Sequence, residues 1–238
     1  MAGDNKKILG IVTARGGSKR IPKKSIALLA GRPMMAWVLY AFKQSTLVNR
    51  LIVDTDDEEM AEVGRAGGAE IPYLRPKELA QDSTGHVPVL KHALEFLKEK
   101  EGYWPDAVVL VQPTSPLVTP QHIDDTLRLL FESGADSVET VFEVPTIFHP
   151  YNIRYIDAEG YTHFLLEKER GEAQKAGKRP PMYSIGTVYT FRPENLWETG
   201  TIQGKRSKSV IIDRALAVDV DEPVDLIIAE ALMKGKLG

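Results

Sequence analysis

The feature of this chain that most limits its fold is a set of short, almost uninterrupted apolar segments. Residues 7–14 and 107–111 are nearly all apolar, and residues 51–55 begin in the same way. Such runs are typical of strands buried on both faces of a parallel sheet, because a strand with one wet face alternates apolar and polar residues. Helix-periodic segments separate these runs, which favours right-handed βαβ units. The sequence therefore predicts an α/β fold with an open, mostly parallel sheet.

Periodicity and turn residues predict the remaining elements. Helices are expected over residues 33–42, 57–66, 87–100, 120–131 and 223–233, and further strands over residues 71–74, 184–191 and 210–221. Residues 145–183 break this pattern. Two extended stretches there flank a turn at residues 157–160, which indicates a hairpin, and a charged segment with few apolar residues follows. We expect an excursion from a single domain that spans residues 1–238, not a second fold.

Composition excludes several classes of protein. The chain has 238 residues, of which 43% are hydrophobic, and that is enough for one sizeable α/β domain. The formal charge of -3 argues against electrostatic nucleic-acid binding. The absence of cysteine removes disulfides, thiolate metal sites and cysteine nucleophiles. No segment approaches the ~20 apolar residues of a membrane span, so we expect a soluble cytoplasmic protein without nucleic-acid or membrane partners.

The loop after the first predicted strand carries an unusual concentration of positive charge. Its basic residues are Arg15, Lys19, Arg20, Lys23 and Lys24. The adjacent glycines Gly16 and Gly17 allow the backbone to approach a ligand closely, and the cations supply counter-charge for a polyphosphate. In open α/β sheets ligands bind beyond the carboxyl ends of strands, which is where this loop begins. A solvated basic turn between strand and helix is the alternative interpretation.

A pair of carboxylates near the end of the chain is the second candidate feature. Asp219 and Asp221 are two residues apart on the predicted strand, so both would point to the same face. Carboxylates this close raise each other's pKa unless a cation lies between them, and hard oxygen ligands suit Mg²⁺ or Mn²⁺. Alternatively, Asp221 caps the helix predicted from Pro223.

Two further side chains are placed to contact a ligand. Arg75 lies beside Pro76 and offers a planar fork for a base edge or a phosphate. The alternative is an ordinary loop with a helix N-cap at Ser83 or Thr84. Gln112 lies at the predicted carboxyl end of a strand, where it would bond substrate hydroxyls or act as a polar cap.

Other chemistries lack their motifs. The Gly-x-Gly-x-x-Gly spacing of dinucleotide-binding oxidoreductases and the Gly-x-x-x-x-Gly-Lys-[Ser/Thr] phosphate loop are both absent. The histidines are scattered without metal-ligand spacing, and no Ser-His-Asp arrangement or Gly-x-Ser-x-Gly motif is present.

The order of these motifs resembles the acylneuraminate cytidylyltransferase family, the CMP-sialic and nonulosonic acid synthetases. The resemblance rests on the motifs at residues 14–24, 54–56, 75–83, 112–117 and 219–225 and extends from Ile8 to Leu226. It implies a Rossmann-like nucleotidyltransferase domain that forms a homodimer through a small β-rich excursion, here about residues 145–183. It also implies transfer of CMP from CTP to the anomeric hydroxyl of an acidic 2-keto sugar such as N-acetylneuraminate, legionaminate or pseudaminate, with release of pyrophosphate.

The resemblance also implies roles for individual residues. The triphosphate would be held by Arg15, Ser18 and Lys24, in a loop that includes Gly16, Gly17 and Ser25. Arg75 and the backbone around Ala80 would read cytosine, with Ser83 close by. Gln112, Tyr189 and Arg179 would face the sugar. Asp219 and Asp221 would bind Mg²⁺ (or Mn²⁺) and, with Arg15 and Lys24, form the catalytic set.

Departures from the family pattern concentrate on the acceptor side. Ile185 stands where sialate members have Asn, and Lys178 and Arg179 remain of an arginine-rich approach to that strand. Arg20 replaces a Gly, and Ser25 replaces an Asn that could bridge nucleotide groups. The alternatives are a cytidylyltransferase for another acidic acceptor (a 3-deoxy octulosonate, a deaminated nonulosonate or a phosphonate) or a non-catalytic nucleotide-binding module.

Overall fold

The computed structural model describes residues 6–237. The strands are β1 (Ile8–Ala14), β2 (Leu28–Leu29), β3 (Arg32–Pro33), β4 (Arg50–Thr55), β5 (Ala107–Val111), β6 (Ser137–Glu143), β7 (Arg154–Ile156), β8 (Thr162–Phe164), β9 (Tyr183–Phe191) and β10 (Ser207–Ile211). The helices are α1 (Met34–Gln44), α2 (Glu58–Ala66), α3 (His86–Glu101), α4 (Pro120–Ser133), α5 (Glu167–Lys175), α6 (Asn195–Glu198) and α7 (Pro223–Leu237).

Six strands form the central sheet, in the order β10-β6-β9-β5-β1-β4. All neighbouring pairs are parallel except those of β9, which runs antiparallel between β5 and β6. The fold predicted from the apolar runs, an α/β fold with a mostly parallel sheet, is therefore confirmed. Within the described part of the chain, no helix is both long and apolar enough to cross a membrane.

Helices cover both faces of the sheet, and this explains why the central strands are apolar throughout. Along β1, Ile8 and Val12 join a buried cluster that includes residues of α1 and α4. The intervening Leu9 and Ile11 join a second cluster with the apolar face of α3. All five residues of β5 are buried, so neither face of this part of the sheet could tolerate polar side chains.

A bulge interrupts the pairing of β6 with β9. Glu139 pairs with Tyr189 and Val141 with Ile185, so Thr140 alone faces residues 186–188. The buried Thr140 hydroxyl oxygen accepts hydrogen bonds from the backbone N–H groups of residues 187 (2.8 Å) and 188 (3.0 Å). Gly186 is required here, because a Cβ at this position would lie 2.7 Å from the Thr140 carbonyl oxygen. The bulge is thus held by one side chain.

The excursion contains the predicted hairpin. Strands β7 and β8 pair antiparallel around the expected turn, and the charged segment that follows forms α5, for which the sequence suggested no element. Many apolar side chains in and near the excursion are exposed, among them Ile147 (72%), Phe148 (61%) and Ile156 (71%).

Two predicted strands are wrong. Residues 71–74 form no strand, and only Glu70 makes an isolated bridge, to Ile52; Pro72 lacks the N–H that a ladder needs. The strand predicted over residues 210–221 ends with β10 at Ile211. Asp213 accepts a hydrogen bond from the backbone N–H of Ala215 and starts a 3₁₀ turn, which redirects the chain.

Candidate functional site

A cleft of about 470 Å³ opens where β1 and β5 end. Most of its wall comes from segments that the sequence singled out. The lining includes Arg15, Ser18, Lys19, Arg20, Lys24 and Ser25 of the basic loop, Arg75, Gln112 with the two residues that follow it, and Asp221. The expectation that ligand-binding loops meet beyond the carboxyl ends of the strands therefore matches the position of this cleft.

The basic loop takes its shape from contacts with the segment after β4. The backbone N–H of Gly16 donates to Asp56 Oδ1 (3.1 Å), and a Cβ on Gly16 would come within 3.1 Å of Asp57 Oδ2. Lys23 adopts a left-handed backbone conformation (φ 47°) immediately before a 3₁₀ turn at Lys24–Ile26. This turn buries Ser25 and directs Lys24 into the cleft.

Each of the five cations of the loop forms an ion pair with a carboxylate from another segment. Asp82 contacts Arg15 (2.8 Å) and Lys19 (2.5 Å). Asp221 contacts Lys24 (2.7 Å) and Arg20 (3.7 Å). The fifth cation, Lys23, pairs with Glu59 and Asp57.

The basic partners lower the pKa values of two of these carboxylates. Lys19, and then Arg15, hold the pKa of Asp82 below its ordinary value, and Lys24 does the same for Asp221. Both carboxylates therefore stay ionised beside the loop. Lys24 and Asp221 are 197 residues apart in the chain. Their contact therefore brings the basic loop (residues 15–25) and the acidic segment (residues 219–225) into one site.

The acidic segment, residues 219–225, contains no strand. Asp219 and Asp221 flank Val220, which is fully buried and whose backbone N–H donates to the Thr114 carbonyl oxygen (2.8 Å). Although Asp219 is exposed, partial desolvation raises its pKa, and repulsion from Asp221 adds to the effect. Asp219 does not line the cleft. The backbone N–H groups of residues 221 and 222, which precede α7, donate to Asp225 (3.0 and 2.8 Å). Among the described residues, no hydrogen bond from Asp221 to the start of this helix is formed, so the predicted cap is absent.

Arg75 belongs to a buried polar network. Its Nε donates to Asp54 Oδ1 and its Nη2 to the Asp54 carbonyl oxygen (2.8 Å). The Tyr73 hydroxyl donates to Asp54 Oδ2 (2.6 Å). The helix cap considered at Ser83 or Thr84 is absent, since α3 begins after Gly85 without a side-chain cap.

The other predicted residues vary in their distance from the cleft. Gln112 lines it, whereas Gly16, Gly17, Ala80, Ser83 and Tyr189 are outside its lining. Tyr189 lies in β9, where burial, Glu139 and Asp219 raise its pKa to about 12. Arg179 bonds the Thr146 hydroxyl (3.2 Å) in the excursion, and the chain does not bring it to the cleft.

Three residues of the site were missed as functional candidates. Asp82 ties two loop cations, and Asp54 holds Arg75. His86 lines the cleft at the start of α3, where burial and the nearby Arg75 lower its pKa. The signal for Asp54 and Asp82 was their presence in the family motifs at residues 54–56 and 75–83. His86 carried no signal beyond its position at the start of a predicted helix.

Comparison with known proteins relates the whole chain to one group. A family model described as Cytidylyltransferase matches residues 9–229. The CMP-N,N'-diacetyllegionaminic acid synthase of Legionella pneumophila is 28% identical over 230 residues, which cover 96% of this chain and 97% of the relative. N-acylneuraminate cytidylyltransferase A of Danio rerio is 30% identical over 227 residues, which cover 94% of this chain and 50% of the relative.

A solved structure shares the fold. The CMP:2-keto-3-deoxy-manno-octonic acid synthetase complexed with CTP matches with a TM-score of 0.71 at 17% identity. The match covers 97% of this chain and 99% of that one. At this identity the likeness concerns the fold alone.

Proposed function

Because this chain belongs to the cytidylyltransferase family, we propose that it transfers CMP from CTP to the anomeric hydroxyl of an acidic 2-keto sugar and releases pyrophosphate. The family resemblance predicted from the motifs is confirmed by the match over residues 9–229. The proposed acceptor is a nonulosonate such as legionaminate, pseudaminate or N-acetylneuraminate. Its support is the similarity to relatives named for legionaminic and neuraminic acids.

One observation carries this proposal: the basic loop and the acidic segment meet in the same cleft. Lys24 Nζ lies 2.7 Å from Asp221 Oδ1, and Arg15 and Ser18 line the same wall. A triphosphate needs several cations close together, and a phosphoryl transfer asks the protein mainly for positioning and charge neutralisation. The cleft supplies both without a covalent nucleophile.

The proposed chemistry is an in-line displacement at the α-phosphate of CTP. The anomeric oxygen forms a bond to the α-phosphorus, its proton passes to water, and the bond to the pyrophosphate oxygen breaks, so that pyrophosphate leaves. Arg15, Ser18 and Lys24 would hold the triphosphate, and Arg75 would face the base. Gln112 would face the sugar, since it lines the cleft and its side-chain amide makes no hydrogen bond within residues 6–237.

A divalent cation, Mg²⁺ or Mn²⁺, would be held by Asp221, which lines the cleft, and by Asp219, which lies just outside its lining. Asp219 and Asp221 present carboxylate oxygens next to the proposed triphosphate site, and Mg²⁺ in such sites takes one or two carboxylates together with phosphate oxygens. No group of three or more His, Cys, Asp and Glu side chains within residues 6–237 could hold a metal alone. We therefore expect the nucleotide to complete the coordination. The ion would neutralise charge on the phosphates.

A homodimer is the proposed assembly. An apolar groove of about 500 Å³ lies between the start of the excursion and α7, lined by Phe142, Phe148, Ile228 and Leu232 among others. Exposed apolar patches of this kind mark interaction surfaces. A single domain with a dimerisation excursion at residues 145–183 and a cytoplasmic location stay predictions.

The proposal is tested by measuring pyrophosphate release by the purified protein with CTP and Mg²⁺. The acceptor panel contains N-acetylneuraminate, legionaminate, pseudaminate, a 3-deoxy octulosonate, a deaminated nonulosonate and a phosphonate, with UTP as the nucleotide control. We expect turnover with CTP and at least one nonulosonate. Turnover with only the octulosonate or the phosphonate would show that the acceptor is that acid and not a nonulosonate. Failure to bind CTP would refute the proposal.

A further inference from the structure

A buried ion pair lies beside the cleft and outside the basic loop. Asp54, at the end of β4, is 1% exposed, and Arg75 is 6% exposed. Burying two charges costs so much solvation that apolar residues would often stabilise such a position equally well. The pair therefore calls for an explanation other than stability.

The contacts around this pair leave the guanidinium little freedom. Its Nε and Nη2 both donate to Asp54, to the side chain and the backbone respectively. The backbone N–H of Arg75 donates to the Thr55 carbonyl oxygen (2.7 Å). The Tyr73 hydroxyl donates to the second carboxylate oxygen (2.6 Å). Because desolvation, and then the charge of Asp54, raise the pKa of Tyr73, this phenol stays protonated and remains a donor.

One edge of the guanidinium is left for a ligand. Arginine has five N–H donors. Within residues 6–237, no protein group accepts a hydrogen bond from Nη1 of Arg75, although this side chain lines the cleft. A fixed planar donor edge that opens into a cleft suits an acceptor group of defined direction.

The charge balance indicates what kind of acceptor this is. Arg15, Lys19 and Lys24 pair with exposed or half-exposed carboxylates, which a triphosphate can displace. Asp54 is buried against Arg75 and cannot be displaced in this way. Its carboxylate cancels the charge of Arg75, so this arginine serves a neutral polar group better than an anion.

We infer that Asp54, held by Tyr73, is a positioning residue that aims Arg75 at the nucleobase and thereby sets the preference for cytosine over uracil. This inference rests on the proposed function. Cytosine presents acceptors at O2 and N3, whereas uracil carries a hydrogen on N3, which would face the donors of Arg75. A site that satisfies cytosine therefore leaves one hydrogen bond unmade with uracil, and it sets the N3–H of uracil against an N–H of Arg75.

The test compares the ratio of kcat/KM for CTP to kcat/KM for UTP in matched variants. Asp54→Asn keeps the side-chain shape and an acceptor for Nε but removes the charge. Tyr73→Phe removes only the hydroxyl. We expect the ratio to fall about 10-fold or more for Asp54→Asn and about 3-fold or more for Tyr73→Phe. Tyr103→Phe is the control, because its hydroxyl is buried in the same cluster without a partner in the described chain. Its ratio should equal that of the wild type.

The outcomes separate this inference from the proposed function. A wild-type protein that does not turn over CTP would refute the proposed function itself. A wild type that prefers CTP, with Tyr73→Phe slowing both nucleotides equally, would assign Tyr73 and Asp54 to the fold and overturn the inference alone. If Asp54→Asn does not fold, the test rests on the CTP-to-UTP ratio of kcat/KM in Tyr73→Phe compared with Tyr103→Phe.

Discussion

The Thr140 hydroxyl group offers a sharp test of how the sheet beside the cleft is held. Thr140→Val keeps the shape of the side chain but deprives two backbone N–H groups of their acceptor. Because Thr140 is fully buried, water cannot replace it. Each stranded donor costs about 1–3 kcal/mol, and burial of the new methyl group returns about 0.8 kcal/mol. We expect the free energy of unfolding to fall by about 1–5 kcal/mol, which is two such penalties less the gain from the methyl group.

The same bulge supplies the control. Thr187 is 2% exposed, and its hydroxyl is buried without a hydrogen-bond partner in the described part of the chain. Thr187→Val therefore removes an unsatisfied polar atom and should leave stability unchanged or raise it by up to about 1 kcal/mol. In a chain of this length each kcal/mol shifts Tm by about 2–4 °C, so the two variants should differ by several degrees.

Urea unfolding with equal m-values, together with thermal melts, measures both changes. Equal destabilisation by the two variants would show that the β-branched shape matters and the hydrogen bonds do not. A loss below about 0.5 kcal/mol for Thr140→Val would refute the reasoning outright, because it is smaller than the penalty for a single stranded donor.

Three further predictions follow from the site and the bulge. Asp221→Asn should lower kcat about 100-fold or more, because the carboxylate acts on charge in the transition state. CTP affinity, measured by calorimetry, should change far less, and equal losses in kcat and affinity would contradict this role. His86 is held neutral by burial and by Arg75, and the unfolded chain binds its proton more readily. Stability should therefore fall as pH drops below about 6.5, and His86→Gln should flatten that dependence in urea midpoints between about pH 7.5 and 5.5; an unchanged slope would contradict it. Gly186→Ala should cost about 1–3 kcal/mol or more, since its Cβ meets the Thr140 backbone, and an unchanged melting temperature would contradict the contact.

Local pattern was enough for four strands of the central sheet, β1, β4, β5 and β9, whereas β6 (Ser137–Glu143) was not predicted. The strands at residues 8–14 and 107–111 were predictable because burial on both faces leaves almost no polar residue. Periodicity predicted α1 to α4 and α7 within a few residues, whereas α5 and α6 were not predicted. The failed strand predictions at residues 71–74 and 210–221 lie where polar contacts override pattern. Residues 71–74 have strand-like side chains, yet Pro72 and the turn of Tyr73 toward Asp54 remove them from the sheet.

The site was predictable as a set of motifs but not as a set of contacts. The basic loop, Arg75 and the carboxylate at residue 221 were identified, and they line one cleft. Their partners were not identified, because Asp82 and Asp54 reach basic residues 67 and 21 positions away. Sequence spacing carries no information on such pairs. The strand predicted over residues 210–221 ends at Ile211 for a related reason, since a 3₁₀ turn capped by Asp213 follows.

The ion-paired loop has a consequence for which ligands can enter. A nucleotide arriving at this cleft exchanges partners with Asp82 and Asp221 instead of meeting bare positive charge. A single phosphate can replace one of these carboxylates, whereas a chain of phosphates can replace both at once. The two acids therefore favour a ligand whose phosphate chain is long enough to replace both of them.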